Sequence, residues 1–224
     1  MSKRNWVEVD HYFNHHLLEK DPILEAALEA NAHAELPAID VSPSQGKLLY
    51  MLAQMQSAER ILEIGTLGGY STIWLARALP PEGKVVTLEL ESKHAEVAAA
   101  NIERAGLSEQ VEIVQGRAVD SLEALAKSGE APFDFIFIDA DKESLPAYFS
   151  WALKLSHTGS VIVVDNVVRD GEVVNAGSPD PRIHGVRKMV ALLSKRAEVE
   201  ATFVQTVGSK GYDGFILARV RKSG

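Results

Sequence analysis

The sequence predicts an α/β fold built on a mostly parallel sheet with one reversed strand. From residue 60 onward, short apolar runs rich in Val and Ile alternate with longer amphipathic segments, the texture of a βα repeat. Ahead of them, residues 8–34 and 43–57 carry apolar positions at helical spacing. The last two apolar runs are joined only by Gly208-Ser209-Lys210-Gly211-Tyr212-Asp213, which is too short for a parallel crossover and makes them an antiparallel pair.

Taken in order, Ser42 followed by Pro43 reads as an N-cap with proline at the first helical position, so a helix starts there. The strands are expected at residues 61–65, 84–90, 111–116, 133–139, 160–165, 202–207 and 214–220, with helical segments between the first six. Residues 175–185, NAGSPDPRIHG, form the one loop with strong Gly and Pro punctuation and suit a lid. The expected organisation is one domain over 1–224, with a helical segment at 1–58 and an α/β core at 59–224.

Composition excludes several classes. A hydrophobic fraction of 46% and a charged fraction of 24% are those of an ordinary packed domain rather than a disordered or fibrous chain. A net charge of -8 repels a polyanion, and the 23 Lys and Arg residues form no long basic run, so nucleic acid is not an expected partner. No apolar stretch approaches the ~20 residues needed to span a bilayer, and the opening MSKRNWVEVDHYF lacks the apolar core of a signal peptide, so no membrane association is expected. The absence of cysteine removes disulfides and thiolate sites and fits a reducing compartment, the cytoplasm.

In an open α/β sheet, ligands bind beyond the carboxyl ends of the strands, so the residues ending each strand carry the information. The first strand holds Glu63 and leads through Gly65 and Thr66 into Leu67-Gly68-Gly69-Tyr70-Ser71, a glycine loop that opens a helix. A dinucleotide fingerprint would need glycine at 67 and 70, where Leu67 and Tyr70 stand. The carboxylate of Glu63 suits a cationic amino group rather than a pyrophosphate. Glu89 ends the second strand, where an acidic residue grips ribose hydroxyls. An amino group, close backbone approach and a ribose together describe an amino-acid nucleoside such as S-adenosylmethionine. The competing reading is a plain tight turn at Gly65–Gly69 with a solvated Glu89.

Asp139 ends the fourth strand, and Asp165 with Asn166 ends the fifth. If those strands are neighbours, the ends lie about 5 Å apart, and the carboxylates either repel or share a cation. An all-oxygen set favours Mg²⁺, with Mn²⁺ or Ca²⁺ as alternatives, over Zn²⁺. Taken singly, each acidic residue also suits a helix cap or a loop hydrogen bond. Lys142 follows Asp139 by three residues; a nearby cation and partial burial disfavour a charged lysine and suit a general base, while a plain surface lysine is the alternative. His11, His15 and His16 mimic a metal site on one helix face, but no H-E-x-x-H motif completes it.

The ordered set Glu63 to Ser71, Glu89, Asp139-Ala140-Asp141-Lys142 and Asp165-Asn166 resembles the cation-dependent O-methyltransferases, which include catechol and caffeoyl-CoA O-methyltransferases, and most of all their small bacterial members. The segment LPAIDVSPSQG at 36–46 extends the similarity over nearly the whole chain. The resemblance implies the Rossmann-like methyltransferase sheet of order 3-2-1-4-5-7-6 with strand 7 reversed. It implies that Glu63, Gly65, Thr66, Ser71 and Glu89 bind S-adenosylmethionine, with Val41, Ala118 and the Asp139 backbone lining its methionine and adenine ends. It further implies that Asp139, Asp165 and Asn166 hold the metal, that Lys142 is the base, that the acceptor is a small hydroxylated aromatic, and that the chain forms a homodimer. Two departures concern the acceptor: Val167-Val168-Arg169 stands where the plant enzymes carry an aromatic residue, and Ala140-Asp141 where catechol O-methyltransferase has a tryptophan. The rival functions are a nicotinamide-dependent oxidoreductase, disfavoured by the missing glycines, and a non-catalytic S-adenosylmethionine-binding or dimeric interaction module, disfavoured by Lys142 standing with all three metal-type residues.

Overall fold

The computed structural model describes residues 3–129 and 132–221; residues 1–2, 130–131 and 222–224 lie outside the described residues. Helices α1 (Lys3–Leu17), α2 (Pro22–His33) and α3 (Pro43–Met55) precede β1 (Arg60–Ile64). There follow α4 (Tyr70–Ala76), β2 (Lys84–Glu89), α5 (Ser92–Arg104), β3 (Val111–Gln115), α6 (Ala118–Ser128), β4 (Phe133–Ile138) and α7 (Leu145–Lys154). The chain closes with β5 (Ser156–Val164), α8 (Pro181–Leu193), β6 (Val199–Gly208) and β7 (Gly211–Val220).

The seven strands form one sheet of order β3-β2-β1-β4-β5-β7-β6, as the resemblance implies. The first five run parallel, and β7 is antiparallel to both β5 and β6. The β6–β7 hairpin is longer than its apolar runs suggest. Pairing continues to Gly208 and Gly211, which leaves only Ser209 and Lys210 in the turn, and Asp10 of α1 accepts the Ser209 N–H at 2.6 Å. Among the described residues no helix is long and apolar enough to cross a membrane.

Three helices start by one device, an oxygen-bearing cap followed by proline. Asp21 accepts from the N–H groups of Ile23 and Leu24, Ser42 from Gln45, and Asp180 from Arg182. Proline at the first helical position loses no hydrogen bond and its φ is already helical. The first of these caps splits the periodic stretch 8–34 into two helices. The third corrects the long loop: residues 181–185 are the first turns of α8, and only 175–180 remain irregular.

Apolar residues cover both faces of the sheet, as buried parallel strands require. Leu62, Ile64, Ile136, Ile138 and Phe149 belong to one cluster, while Ile61, Ile73, Phe135, Phe137 and Leu49 belong to the other. Helix α8 packs unusually close to the loop after β4. A Cβ built on Gly185 would lie 1.9 Å from the Lys142 carbonyl oxygen and 2.8 Å from the Glu143 Cα. Both neighbours are backbone and cannot rotate away. Gly185→Ala is therefore expected to destabilise the protein by about 1 to 3 kcal/mol, the range for overpacking a tight core. An unchanged denaturation midpoint in urea would show that α8 can slide off the Lys142 loop without cost.

Candidate functional site

Parallel register brings the strand ends into one row. Ile64 pairs with Leu88 on one side and Ile138 on the other, and Ile138 pairs with Val164. Backbone bonds extend the row by one residue: Gly65 N–H to the Leu88 carbonyl, Asp139 N–H to Ile64 and Asp165 N–H to Ile138, at 2.9 to 3.0 Å. Asp139 and Asp165 therefore stand side by side, one strand spacing apart. Above the row lies a cavity of about 620 Å³, bounded by Val41, Gly65, Thr66, Ser71, Glu89, Ala118, Asp139, Lys142 and Asn166 among others.

The glycine loop is shaped by what surrounds it. Gly65 has φ +100°, and a Cβ there would lie 2.2 Å from the Asp139 carbonyl oxygen, so only glycine lets β1 and β4 end so close together. Glu89 receives the loop on its carboxylate: Oε2 accepts from the N–H groups of Thr66 at 3.1 Å and Leu67 at 2.8 Å, and Oε1 from Glu91 at 3.0 Å. His94 Nδ1 stands 3.3 Å from the same Oε1. Glu89 thus fixes the loop as well as facing the cavity.

Glu63 differs from expectation. It does not open on the cavity to meet an amino group; it is fully buried, and its two oxygens accept from Ser71 Oγ at 2.6 Å, Thr72 Oγ1 at 2.5 Å and Thr87 Oγ1 at 2.7 Å. Its place at the centre of a two-faced sheet is the reason. Burial pushes its pKa up to about 7, with the three hydroxyls opposing and the Asp139 charge adding to the rise. The group presented to the cavity is Ser71, which Glu63 orients.

At the other end of the row, Lys142 is buried and donates from Nζ to Asp139 Oδ1 at 2.9 Å. Asp165 is also buried; its Oδ2 accepts from Gln45 Nε2 at 2.7 Å and its Oδ1 from the Asn166 N–H at 2.8 Å. Burial, then the neighbouring Asp139 charge, raises the Asp165 pKa to about 7, while Lys142 and the two hydrogen bonds hold it down. Asn166 has φ +54°, a left-handed conformation that costs a non-glycine residue energy and persists where the surroundings impose it.

Several participants were not singled out from sequence. Asn31 on α2 donates to Asp40 at 2.8 Å and accepts from Asn101 of α5 at 3.1 Å, and Asn101 also donates to the Gly68 carbonyl at 2.9 Å. This buried network ties the glycine loop to the N-terminal helices. Asp141 accepts from Tyr148 Oη at 2.5 Å and from the Ser144 N–H at 3.0 Å, which anchors the Lys142 loop to α7. Gln45 is reached across 120 positions, so no local pattern marks it. The histidines of α1 do not assemble a centre: among the described residues no group of three or more His, Cys, Asp or Glu side chains is placed to share a metal ion. Asp139, Asp165 and Asn166 are two carboxylates and an amide, a different donor set.

The chain matches the O-methyltransferase family model over residues 14–221. It is 51% identical to the catechol O-methyltransferase of Niastella koreensis over 99% of this chain and 100% of that protein, and 51% identical to the catechol O-methyltransferase of Mycobacterium tuberculosis over 96% of each. Among solved structures it resembles the O-methyltransferase of Bacillus cereus in complex with SAH, with 57% identity, a TM-score of 0.97 and coverage of 98% of this chain and 100% of that one. TomG of Streptomyces achromogenes, solved in complex with SAM, gives 51% identity and a TM-score of 0.96 over 99% and 100%. With a sheet order, a glycine loop and a row of strand-end carboxylates that agree with these matches, the chain belongs to the O-methyltransferase family, as an enzyme of the S-adenosylmethionine-dependent type.

Proposed function

We propose that this enzyme transfers a methyl group from S-adenosylmethionine to one hydroxyl of a vicinal dihydroxy aromatic, with a divalent cation held by Asp139, Asp165 and Asn166. The observation that carries this reading is that Ser71 and Glu89 line the same cavity as Asp139, Lys142 and Asn166, so a nucleoside-type ligand and two of the hard-cation donors share one space, with buried Asp165 on the strand next to Asp139. Glu89 faces the ribose, Ser71 and Val41 the methionine end, and Ala118 the adenine end; Gly65 and Thr66 let the backbone approach. Glu63 acts at one remove, through Ser71.

The donor set suits a cation. Two carboxylates and an amide oxygen are hard ligands. The Asp139 charge contributes to the high pKa of Asp165, and Lys142 already places positive charge 2.9 Å from Asp139. Mg²⁺ fits best, with Mn²⁺ or Ca²⁺ as alternatives. When bound, such a cation supplies Lewis acidity and a template for two adjacent oxygens. The chain's own residues do the rest. Lys142, after giving up its own proton to solvent, accepts at Nζ the proton of the attacking hydroxyl as the new C–O bond forms and the C–S bond breaks. The Asp141 hydrogen bonds to Ser144 and Tyr148 hold the loop that carries Lys142. Fixing donor and acceptor in line is worth about 7 to 11 kcal/mol in well-oriented systems.

A homodimer fits the exposed surface. Tyr12, Phe13 and Leu17 of α1 are 60%, 52% and 71% exposed, and Phe203 and Val207 of the edge strand β6 are 61% and 53% exposed. Asp10 joins the two elements at the hairpin turn. Wet apolar side chains beside an uncovered strand edge mark an association surface.

Three outcomes test these assignments. Lys142→Ala is expected to lower kcat at neutral pH by about 10² to 10⁴-fold, the range for general base catalysis, while calorimetric affinity for S-adenosylhomocysteine changes far less; an undiminished kcat removes Lys142 from the chemistry. A cation held by Asp139, Asp165 and Asn166 would offer a common anchor to two adjacent hydroxyls but only one contact to a lone hydroxyl. Catechol should therefore react well and phenol poorly, and both EDTA treatment and Asp165→Ala should abolish transfer of a labelled methyl group to catechol. Turnover of catechol in EDTA, or equal rates for phenol, would sink the cation-template reading. Sedimentation at micromolar concentration should give the mass of two chains, and a monomer would dismiss the α1–β6 surface as an interface.

A further inference from the structure

We infer that the acceptor carries an anionic substituent of the carboxylate class, read by Arg169 with support from Arg182; this rests on the acceptor site proposed above. Both arginines line the same cavity as Lys142 and Asn166. In a chain of net charge -8, the cavity gathers four cationic side chains, Arg117, Lys142, Arg169 and Arg182. The two acidic groups nearest Lys142 in the lining are already engaged, Asp139 by Lys142 and Asp141 by Tyr148 and Ser144.

Among the described residues lining the cavity, the guanidinium groups of Arg117 and Arg169 have no hydrogen-bonded partner, and of the two Arg169 is the half-buried one. Its side chain is 26% exposed, and its recorded ion pair, with Asp213, spans 3.9 Å, beyond hydrogen-bond length. Asp213 cannot easily close that gap, because its Oδ1 accepts from the N–H groups of Val168 at 3.0 Å, Arg169 at 2.9 Å and Gly214 at 2.9 Å. These bonds fix the carboxylate and hold the loop in place. The loop is also strained: Arg169 and Asp170 have φ of +55° and +54°, so two successive non-glycine residues are left-handed, three residues after Asn166. A half-buried guanidinium, held on a strained and anchored loop without a hydrogen-bonded partner, is prepared for a planar anion that it can grip by two parallel N–H···O bonds. Arg182 lines the same cavity. Its fork is bidentate on Asp180, whose carboxyl it holds well below the usual range, and Arg169 adds to the same lowering. Arg182 therefore adds field, and Arg169 makes the contact.

A carboxylate in this cavity has two sources, the acceptor and the methionine end of S-adenosylmethionine. The second lies at Ser71 and Val41 in the proposed reading, so the geometry favours the acceptor. The test compares KM for 3,4-dihydroxybenzoate and its neutral analogue 3,4-dihydroxybenzamide, with catechol as reference, in the wild type, Arg169→Gln and Arg169→Lys. Because Asp213 is held by backbone N–H groups, the Gln variant keeps the loop's anchors. In the wild type at low salt the acid should have a KM about tenfold to a hundredfold below that of the amide, the range for a charge-assisted hydrogen bond. Added salt should narrow the gap. Arg169→Gln should bring the ratio of the two KM values toward one with little change in their kcat ratio, Arg169→Lys should fall between, and Arg182→Gln should narrow it less than Arg169→Gln. Equal KM values in the wild type, or a ratio that survives Arg169→Gln, would overturn the inference while leaving catechol methylation standing. A loss of S-adenosylhomocysteine affinity in Arg169→Gln with the ratio intact assigns the arginine to the cofactor carboxylate and also overturns it. If catechol itself is not methylated, the underlying reading fails instead.

Discussion

The parallel hydrogen-bond register across β2, β1, β4 and β5 is the constraint on which the site depends. Because Leu88, Ile64, Ile138 and Val164 pair in one line, the residues that follow them leave the sheet together. Parallel strands expose their carboxyl ends on one edge, and the helices that return the chain pack on the faces and leave that edge open. The row Glu89, Gly65, Asp139 and Asp165 is a consequence of this pairing. A shift of one residue in β4 against β5 would send Asp139 to a different level from Asp165 and remove their electrostatic coupling.

Close backbone approach then fixes the loops above the row. Gly65 lies against the Asp139 carbonyl, Gly68 against the Asn31 side chain, and Gly185 against the Lys142 carbonyl. In each case a missing Cβ is what allows contact between segments far apart in sequence. The three contacts hold the glycine loop to β4, the same loop to α2, and α8 to the Lys142 loop. Asn31 and Asn101 reinforce the second contact with buried hydrogen bonds, which are costly to break because neither partner has water to replace the other.

The electrostatics follow from the same crowding. Glu63 and Asp165 are both driven up to about 7 by burial, yet they are satisfied differently. Glu63 is surrounded by hydroxyl donors and works as a structural acceptor that orients Ser71. Asp165 accepts from Gln45 and faces the Asp139 charge, which Lys142 partly offsets. A carboxylate ringed by donors is at rest, whereas paired carboxylates with one lysine between them favour further positive charge. The sheet thus carries two buried acidic positions with distinct surroundings at one edge.

Local chemistry made much of this legible in the residues alone. The strand positions follow from runs of Val, Ile and Phe, the reversed last strand from a link too short to cross over, and the strand-end identities of Gly65, Glu89, Asp139, Asp165 and Asn166 from the places where those runs stop. The Asp21-Pro22 and Asp180-Pro181 caps were equally local, and their pattern matches Ser42-Pro43; they were obscured because periodic or glycine-rich surroundings outweighed a two-residue signal. Other features depend on packing between distant segments. Glu63 reads as a ligand of an amino group because its strand position is clear, but its burial depends on Thr72 and Thr87, which only the α4–β1–β2 packing brings to it. Gln45 meets Asp165, and Asn101 meets Asn31 and Gly68, through separations that carry no periodic signature. In the sequence Arg169 is only part of the run that replaces the plant enzymes' aromatic residue; the β5–β7 pairing is what sets Asp213 beneath it and the cavity in front. Residue type and spacing determined the elements and the residues at their ends, because those depend on neighbours a few positions away; which side chains share a proton, a charge or a cavity was decided by tertiary structure, because those interactions fall off within a few ångströms and the folded chain alone sets such distances.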